Sequence, residues 1–168
     1  PLASILGYVD FIIDDTVVSL HPDHQTSVNV IGKSAKRLLA ITNNLLDVSR
    51  IEAGRLELTL ESIDLANVIE EVALFFHPEI EQKGQIFTVD KQPALPKALC
   101  DQMRTTQIFS NLLSNAIKYT PEHGRIAIGL RHSTQEDVLI ATVADNGIGI
   151  PAKDLTHIGK NFFRASNV

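Results

Sequence analysis

Apolar residues that recur seven apart along a helix must be covered by another helix, and the start of this chain carries two such stripes. Leu2, Ile5, Leu6, Val9, Ile12, Ile13 and Val17 recur at helical spacing. His21-Pro22-Asp23 interrupts the pattern. A second helix then places Ile31, Leu38 and Leu45 seven apart, with Ile41 and Val48 between them. Such a heptad seam packs against partner helices. Two helices in a hairpin cannot bury both stripes by themselves, whereas a four-helix bundle formed by two copies can. Residues 1–54 are therefore expected to form a helical hairpin, half of a dimeric four-helix bundle. Ala53-Gly54 ends it, glycine being the usual stop after a helix.

From residue 55 onward the periodicity changes. Leu56, Leu58 and Leu60 alternate with Glu57, Thr59 and Glu61, the pattern of a half-buried strand. Asp64 is placed to cap a helix whose inner face is Leu65, Val68, Ile69, Val72 and Phe76. Ile86, Phe87 and Val89 suggest a short strand, and Pro93 to Pro96 a loop. Ile126, Ile128 and Leu130 alternate again, and the mostly apolar run Val138 to Ala144 reads as a buried strand completing a hairpin. A short helix is expected at 152–155, after Pro151. Helices on one face of a mixed sheet make an α/β sandwich.

Within this second part lies an unusual helix. Residues 107–119 read QIFSNLLSNAIKY, followed by Thr120-Pro121, which stops the helix. Each residue turns about 100°, so Asn111 and Asn115 are neighbours, and Lys118 and Tyr119 follow on the same face. Phe109, Leu113, Ala116 and Ile117 take the opposite face. Asparagine is a poor helix former, so two of them in mid-helix cost stability unless they are used. Amide oxygens are hard ligands suited to magnesium, and Lys118 is a point charge suited to phosphate. The apolar run 138–144 then ends in Asp145-Asn146-Gly147-Ile148-Gly149-Ile150-Pro151. A carboxylate at a strand end can accept a hydrogen bond from an exocyclic amine such as that of adenine. Gly147 and Gly149 let backbone approach a flat ring closely.

Composition narrows the classes further. Net charge is −5, which argues against non-specific nucleic-acid binding. A single cysteine, Cys100, excludes an internal disulfide and fits a reducing, cytoplasmic setting. No run of 18 apolar residues spans a membrane; a membrane anchor is expected only through segments outside these residues.

On these motifs the chain resembles the sensor histidine kinases of bacterial two-component systems, with their Bergerat-type ATP fold. Asn111, Asn115, Lys118 and Tyr119 match the family's asparagine box, and Asp145, Gly147 and Gly149 its first glycine box. Phe162-Phe163-Arg164 matches the end of the phenylalanine box that opens the ATP lid, although Gly159 stands where the family has its first phenylalanine. The resemblance implies that Asn111 and Asn115 handle Mg2+ and phosphates. It implies that Lys118 and Tyr119 line the nucleotide, that Asp145 reads the adenine amine and that Arg164 faces phosphate. It also implies homodimerisation through residues 1–53 and transfer of the ATP γ-phosphoryl group to a histidine, then to an aspartate of a response regulator.

Pro1-Leu2-Ala3-Ser4-Ile5 resembles the tail of the family's phosphoacceptor box, whose histidine would precede Pro1. None of His21, His24, His77, His123, His132 and His157 stands in that context. Residues 1–54 are thus expected to be a dimerisation hairpin lacking the phosphoacceptor. Residues 55–168 are expected to be an ATP-binding catalytic domain cut at the lid, and the stretch alone is expected to be inactive. Two other readings fit parts of the pattern: an ATPase of the same fold, and a dimerisation and nucleotide-binding module without catalysis of its own. The hairpin directly before the sandwich argues against the ATPase.

Overall fold

The structure, a computed structural model, describes residues 2–14, 20–159 and 163–168. Val17 and Phe162, both used in reading the sequence, lie outside the described residues. The chain divides into two compact units, Pro1–Glu57 and Leu58–Val168.

The first unit pairs helix α1 (Leu2–Asp14) with helix α2 (Pro22–Glu52). Proline suits the first turn of α2, where its missing N–H is not needed. The His21 side chain accepts from the Asp23 N–H at 3.4 Å. Gly54, at φ +63°, stops the helix. The helices meet through Val9, which is 6% exposed, and through Gly32 and Ala35. A Cβ on Gly32 would lie 2.8 Å from Val9 Cγ1, so only glycine admits this approach without a shift. A mid-helix glycine costs about 1 kcal/mol, and the close contact explains why one is present. The heptad seam faces elsewhere. Ile31, Leu38 and Leu45 remain 51%, 51% and 47% exposed, so α1 does not cover them.

The second unit holds β1 (Glu61–Ile63), α3 (Leu65–Gln82), β2 (Ile86–Lys91), β3 (Ala98–Cys100), α4 (Gln102–Tyr119), β4 (Arg125–Ser133), β5 (Val138–Asp145) and α5 (Ala152–Leu155). β2, β4 and β5 form a three-stranded sheet in the order β2-β4-β5. β2 runs parallel to β4, and β4 is antiparallel to β5, with Ile126 opposite Asp145. β1 and β3 make a separate antiparallel pair. Ile126, Ile128 and Leu130, alternating on β4, meet Ile69, Val72 and Phe76 of α3 and Phe109, Leu113 and Ile117 of α4 in one core. The fold is thus a helical hairpin followed by an α/β unit with a mixed sheet.

Three local expectations change. The strand read at residues 56–61 begins only at Glu61. The Thr59 N–H is already committed to Asp101 Oδ2 at 3.0 Å, and Leu58 and Leu60 stay half exposed. β3 was not anticipated, because three residues are too few to show a period. β5 is not buried: it is the edge of its sheet, and only Leu139 and Val143 pack against the core. Helices cover one face, so an apolar run here marks a half-covered strand.

Two polar anchors fix α4. Asp101 caps its start, Oδ1 accepting from the Arg104 N–H at 3.0 Å while Oδ2 holds Thr59. At the other end the buried Gln85 donates Nε2 to the Ile117 carbonyl at 3.1 Å and to that of Thr120 at 2.8 Å. The bonds from Arg104 and then Thr59 hold the Asp101 carboxyl below the usual carboxylate range. A depressed folded value contributes stability above the ordinary carboxylate pKa of about 4 and loses it as pH falls through the folded value. Asp101→Asn is therefore expected to lower stability at pH 7, with the difference closing below about pH 4. Urea unfolding of both proteins across pH checks this, and a difference independent of pH contradicts it.

Candidate functional site

The end of β5 and the last turn of α4 are stitched together by backbone. Asn146 extends the β4–β5 ladder: its N–H donates to the Arg125 carbonyl at 3.1 Å, and its Oδ1 accepts from the Arg125 N–H at 2.6 Å. The chain then turns, with the Gly147 N–H donating to Asp145 Oδ1 at 2.8 Å, an Asx turn. The Ile148 N–H reaches the Tyr119 carbonyl at 3.2 Å. A Cβ on Gly147 would lie 2.4 Å from that carbonyl oxygen and 2.8 Å from Asp145 Oδ1. Glycine is required there by close approach. At Gly149 the reason is conformational: φ is +63°, and a Cβ would meet nothing within 4 Å.

A cavity of about 650 Å³ opens over this junction, within the range of small-molecule sites. Leu112, Asn115, Ala116 and Tyr119 line it from α4, and Val143 and Asp145 from β5. Ile148, Gly149 and Ile150 follow from the loop, with Leu155 and Ile158 beyond. Phe163, Arg164, Ala165 and Val168 form a further wall. Among the described residues the walls are mainly apolar, and their polar groups are one amide, one phenol, one carboxylate and one guanidinium. Such a site suits a flat apolar body carrying a few polar atoms.

Of the residues singled out in the sequence, Asn115, Tyr119, Asp145, Gly149 and Arg164 line this cavity. The other three lie around it. Asn111 is exposed on α4, one turn before Asn115. Lys118 turns to its neighbour, with Nζ 3.0 Å from the Tyr119 hydroxyl and 4.7 Å from that ring's centroid. Gly147 stands behind the cavity, against the Tyr119 carbonyl. The helical stripe is real as a face, but the structure separates it into a cavity-lining pair and an outer pair.

The apolar lining was missed in the sequence. Ile148 and Ile150 offered a signal, since isoleucines alternating with glycines in a turn are about half exposed here. Asp154 and Ser166 offered none, yet Asp154 Oδ2 accepts from both the N–H and the hydroxyl of Ser166 at 2.8 Å. The Ser166 N–H, then its hydroxyl, hold the Asp154 carboxyl below the usual range. His157 stacks on Phe163 with ring centroids 5.5 Å apart.

Among the described residues no cluster of three histidine, cysteine or acidic side chains could hold a metal ion. A magnesium that keeps its waters and shares phosphate oxygens needs few protein ligands. Asn115 at the cavity and Asn111 one turn away fit that modest demand.

Known proteins place the chain. Residues 1–54 match the His Kinase A (phospho-acceptor) domain. Residues 100–168 match the histidine kinase-, DNA gyrase B- and HSP90-like ATPase domain. An uncharacterized sensor-like histidine kinase of Rhizobium meliloti is 34% identical over 168 residues, covering 99% of this chain and 32% of that protein. The cell-division control histidine kinase PdhS of Brucella anthropi is 30% identical over 163 residues, covering 96% of this chain and 15% of that protein. The crystal structure of full-length ShkA in complex with AMPPNP has a TM-score of 0.75 and 27% identity, covering 92% of this chain and 32% of that one. The chain belongs to the sensor histidine kinase family, and it spans about a third or less of these relatives' lengths. Among the described residues no helix is long and apolar enough to cross a membrane.

The two glycines should differ on substitution. Gly149→Ala is expected to cost about 1 kcal/mol of left-handed strain. Gly147→Ala must instead displace the Tyr119 carbonyl, an overpacking cost of roughly 1–3 kcal/mol. Urea unfolding at pH 7 checks the order, and equal losses contradict the stitched junction.

Proposed function

We propose that the second unit binds Mg-ATP in this cavity. We further propose that the parent protein transfers the γ-phosphoryl group to a histidine and then to an aspartate of a response regulator. Asp145 carries the reading. Its Oδ1 is held by the Gly147 N–H at 2.8 Å, which fixes the carboxylate at the cavity wall as an acceptor for the adenine amine. Val143, Ile148 and Ile150 offer apolar surface to the ring. Asn115 and Asn111 would hold magnesium, which when bound neutralises triphosphate charge. Tyr119, with Lys118 on its hydroxyl, bounds the nucleotide, and Gly147 and Gly149 shape the turn under the ring. Arg164 supplies a fixed positive charge for phosphate. The acceptor is a histidine followed by an acidic residue. None of the six histidines here stands in that context, and we assign none of them as acceptor, so residues 1–168 alone are not expected to label themselves.

The work of such a protein is positioning and charge neutralisation more than covalent chemistry. The single cysteine fits action in a reducing cytoplasm.

Asp145→Asn provides the test. Asparagine keeps an oxygen for the Gly147 N–H, so the turn survives, but it loses the charge and can present an NH₂ to the adenine amine. Hydrogen bonds to charged groups contribute about 1.5–3 kcal/mol, so calorimetry should show ATP affinity down about tenfold to a hundredfold. Unchanged affinity contradicts the assignment.

The hairpin pairs with a second copy through the seam. Ile31, Leu38 and Leu45 are half exposed within the chain, a stripe at the spacing that knobs-into-holes packing uses. Sedimentation equilibrium of the whole chain is expected to show a dimer that Leu38→Glu converts to monomer. A wild-type chain that stays monomeric at every concentration contradicts this.

A further inference from the structure

Among the described residues, one buried carboxylate supplies two of the hydrogen bonds that hold the wall formed by residues 163–168. Asp154 is only 9% exposed, although it lies on the four-residue helix α5. The N–H and the hydroxyl of Ser166 both converge on its Oδ2 at 2.8 Å. The next residue adds a third tie, Asn167 Nδ2 donating to the Gly149 carbonyl at 2.9 Å. At the other end of the segment Phe163 stacks on His157. Arg164 lies between these two anchor points and lines the cavity. Arginine loses much side-chain freedom when it is fixed, so a pre-set backbone on both sides lowers the cost of placing its guanidinium on an anion.

We propose that Asp154 is a positioning residue for phosphate recognition: by holding Ser166 it fixes the backbone of Arg164 at the cavity wall. This rests on the nucleotide reading above, and it assigns Asp154 a role that acts only through Arg164. The Asp145 carboxylate is held separately, by the Gly147 N–H at 2.8 Å. The clamp therefore acts on the triphosphate and leaves adenosine recognition alone.

The test is calorimetry of the whole chain with Mg-ATP and, separately, with adenosine. Asp154→Ala should weaken ATP about tenfold, the scale of one charge-assisted hydrogen bond, while adenosine affinity stays within about twofold. Both donors meet a single oxygen, so Asp154→Asn, with its amide oxygen turned to Ser166, should restore most of the ATP affinity. Arg164→Gln should weaken ATP by a similar factor, and adding Asp154→Ala to it should cause no further loss, since the two act as one unit. Ser166→Ala, which keeps the backbone donor, should fall between wild type and Asp154→Ala and serves if Asp154→Ala does not fold. Equal losses for ATP and adenosine, or additive losses in the double variant, would overturn the proposal. If wild type binds ATP and Asp145→Asn weakens it while Asp154→Ala and Ser166→Ala do not, the clamp alone fails. If wild type does not bind ATP, the nucleotide reading fails and the clamp with it.

Discussion

The hydrogen bond from the Ile148 N–H to the Tyr119 carbonyl joins two parts of the second unit that the sequence keeps apart. It brings the last turn of α4, with Asn115 and Tyr119, against the end of β5, with Asp145. Both sides arrive already fixed. Gln85 and Lys83 hold the carboxyl end of α4 through the Ile117 carbonyl, at 3.1 and 2.6 Å. Asn146 holds the end of β5 against Arg125 on both its N–H and its side chain. Between two rigid ends a loop can bring a carboxylate, an amide and a phenol to one cavity without relying on its own stiffness. That is the preorganisation a binding site needs, because groups ordered in advance cost no entropy when the ligand arrives.

Much of this was legible in the sequence, and for identifiable reasons. Helices announce themselves by period, so α3 and α4 and their buried faces could be read from Leu65, Val68, Ile69 and Phe109, Leu113, Ile117. Asp64 declared its capping role by position, and the structure shows it accepting from the Ala66 N–H at 2.9 Å. The short pair β1–β3 had too few residues for a pattern. The Leu56–Leu60 alternation misled because Thr59 spends its N–H on Asp101, a long-range tie no local pattern reveals. In the site, the sequence pointed to polar residues, and it could not show which of them line the cavity. Asn111, Asn115, Lys118 and Tyr119 share a helical face, but whether a side chain meets a cavity depends on where the Ile148 loop crosses α4. The Asp154–Ser166 clamp was illegible for the same reason, being a contact between a helix and an irregular segment with no period.

The hairpin follows a different logic. Its internal contact is small and tight, Val9 against Gly32, with Ala35 buried nearby on the same helix. Its larger apolar residues, Ile31, Leu38 and Leu45 among them, remain half exposed. A helix pair that spends its smallest residues on itself keeps its bulky seam for another surface, consistent with a bundle built from two copies.

The most direct test of the account is to map the ligand on the folded chain. Backbone amide shifts in nuclear magnetic resonance, recorded while adenosine and then Mg-ATP are added, report which residues meet it. The account predicts that adenosine moves the amides of residues 145–150 and of Asn115 and Tyr119, and that ATP adds Arg164 and its neighbours. Shifts confined to the exposed face of the β2-β4-β5 sheet or to the β1–β3 pair, with none at residues 145–150, would contradict it.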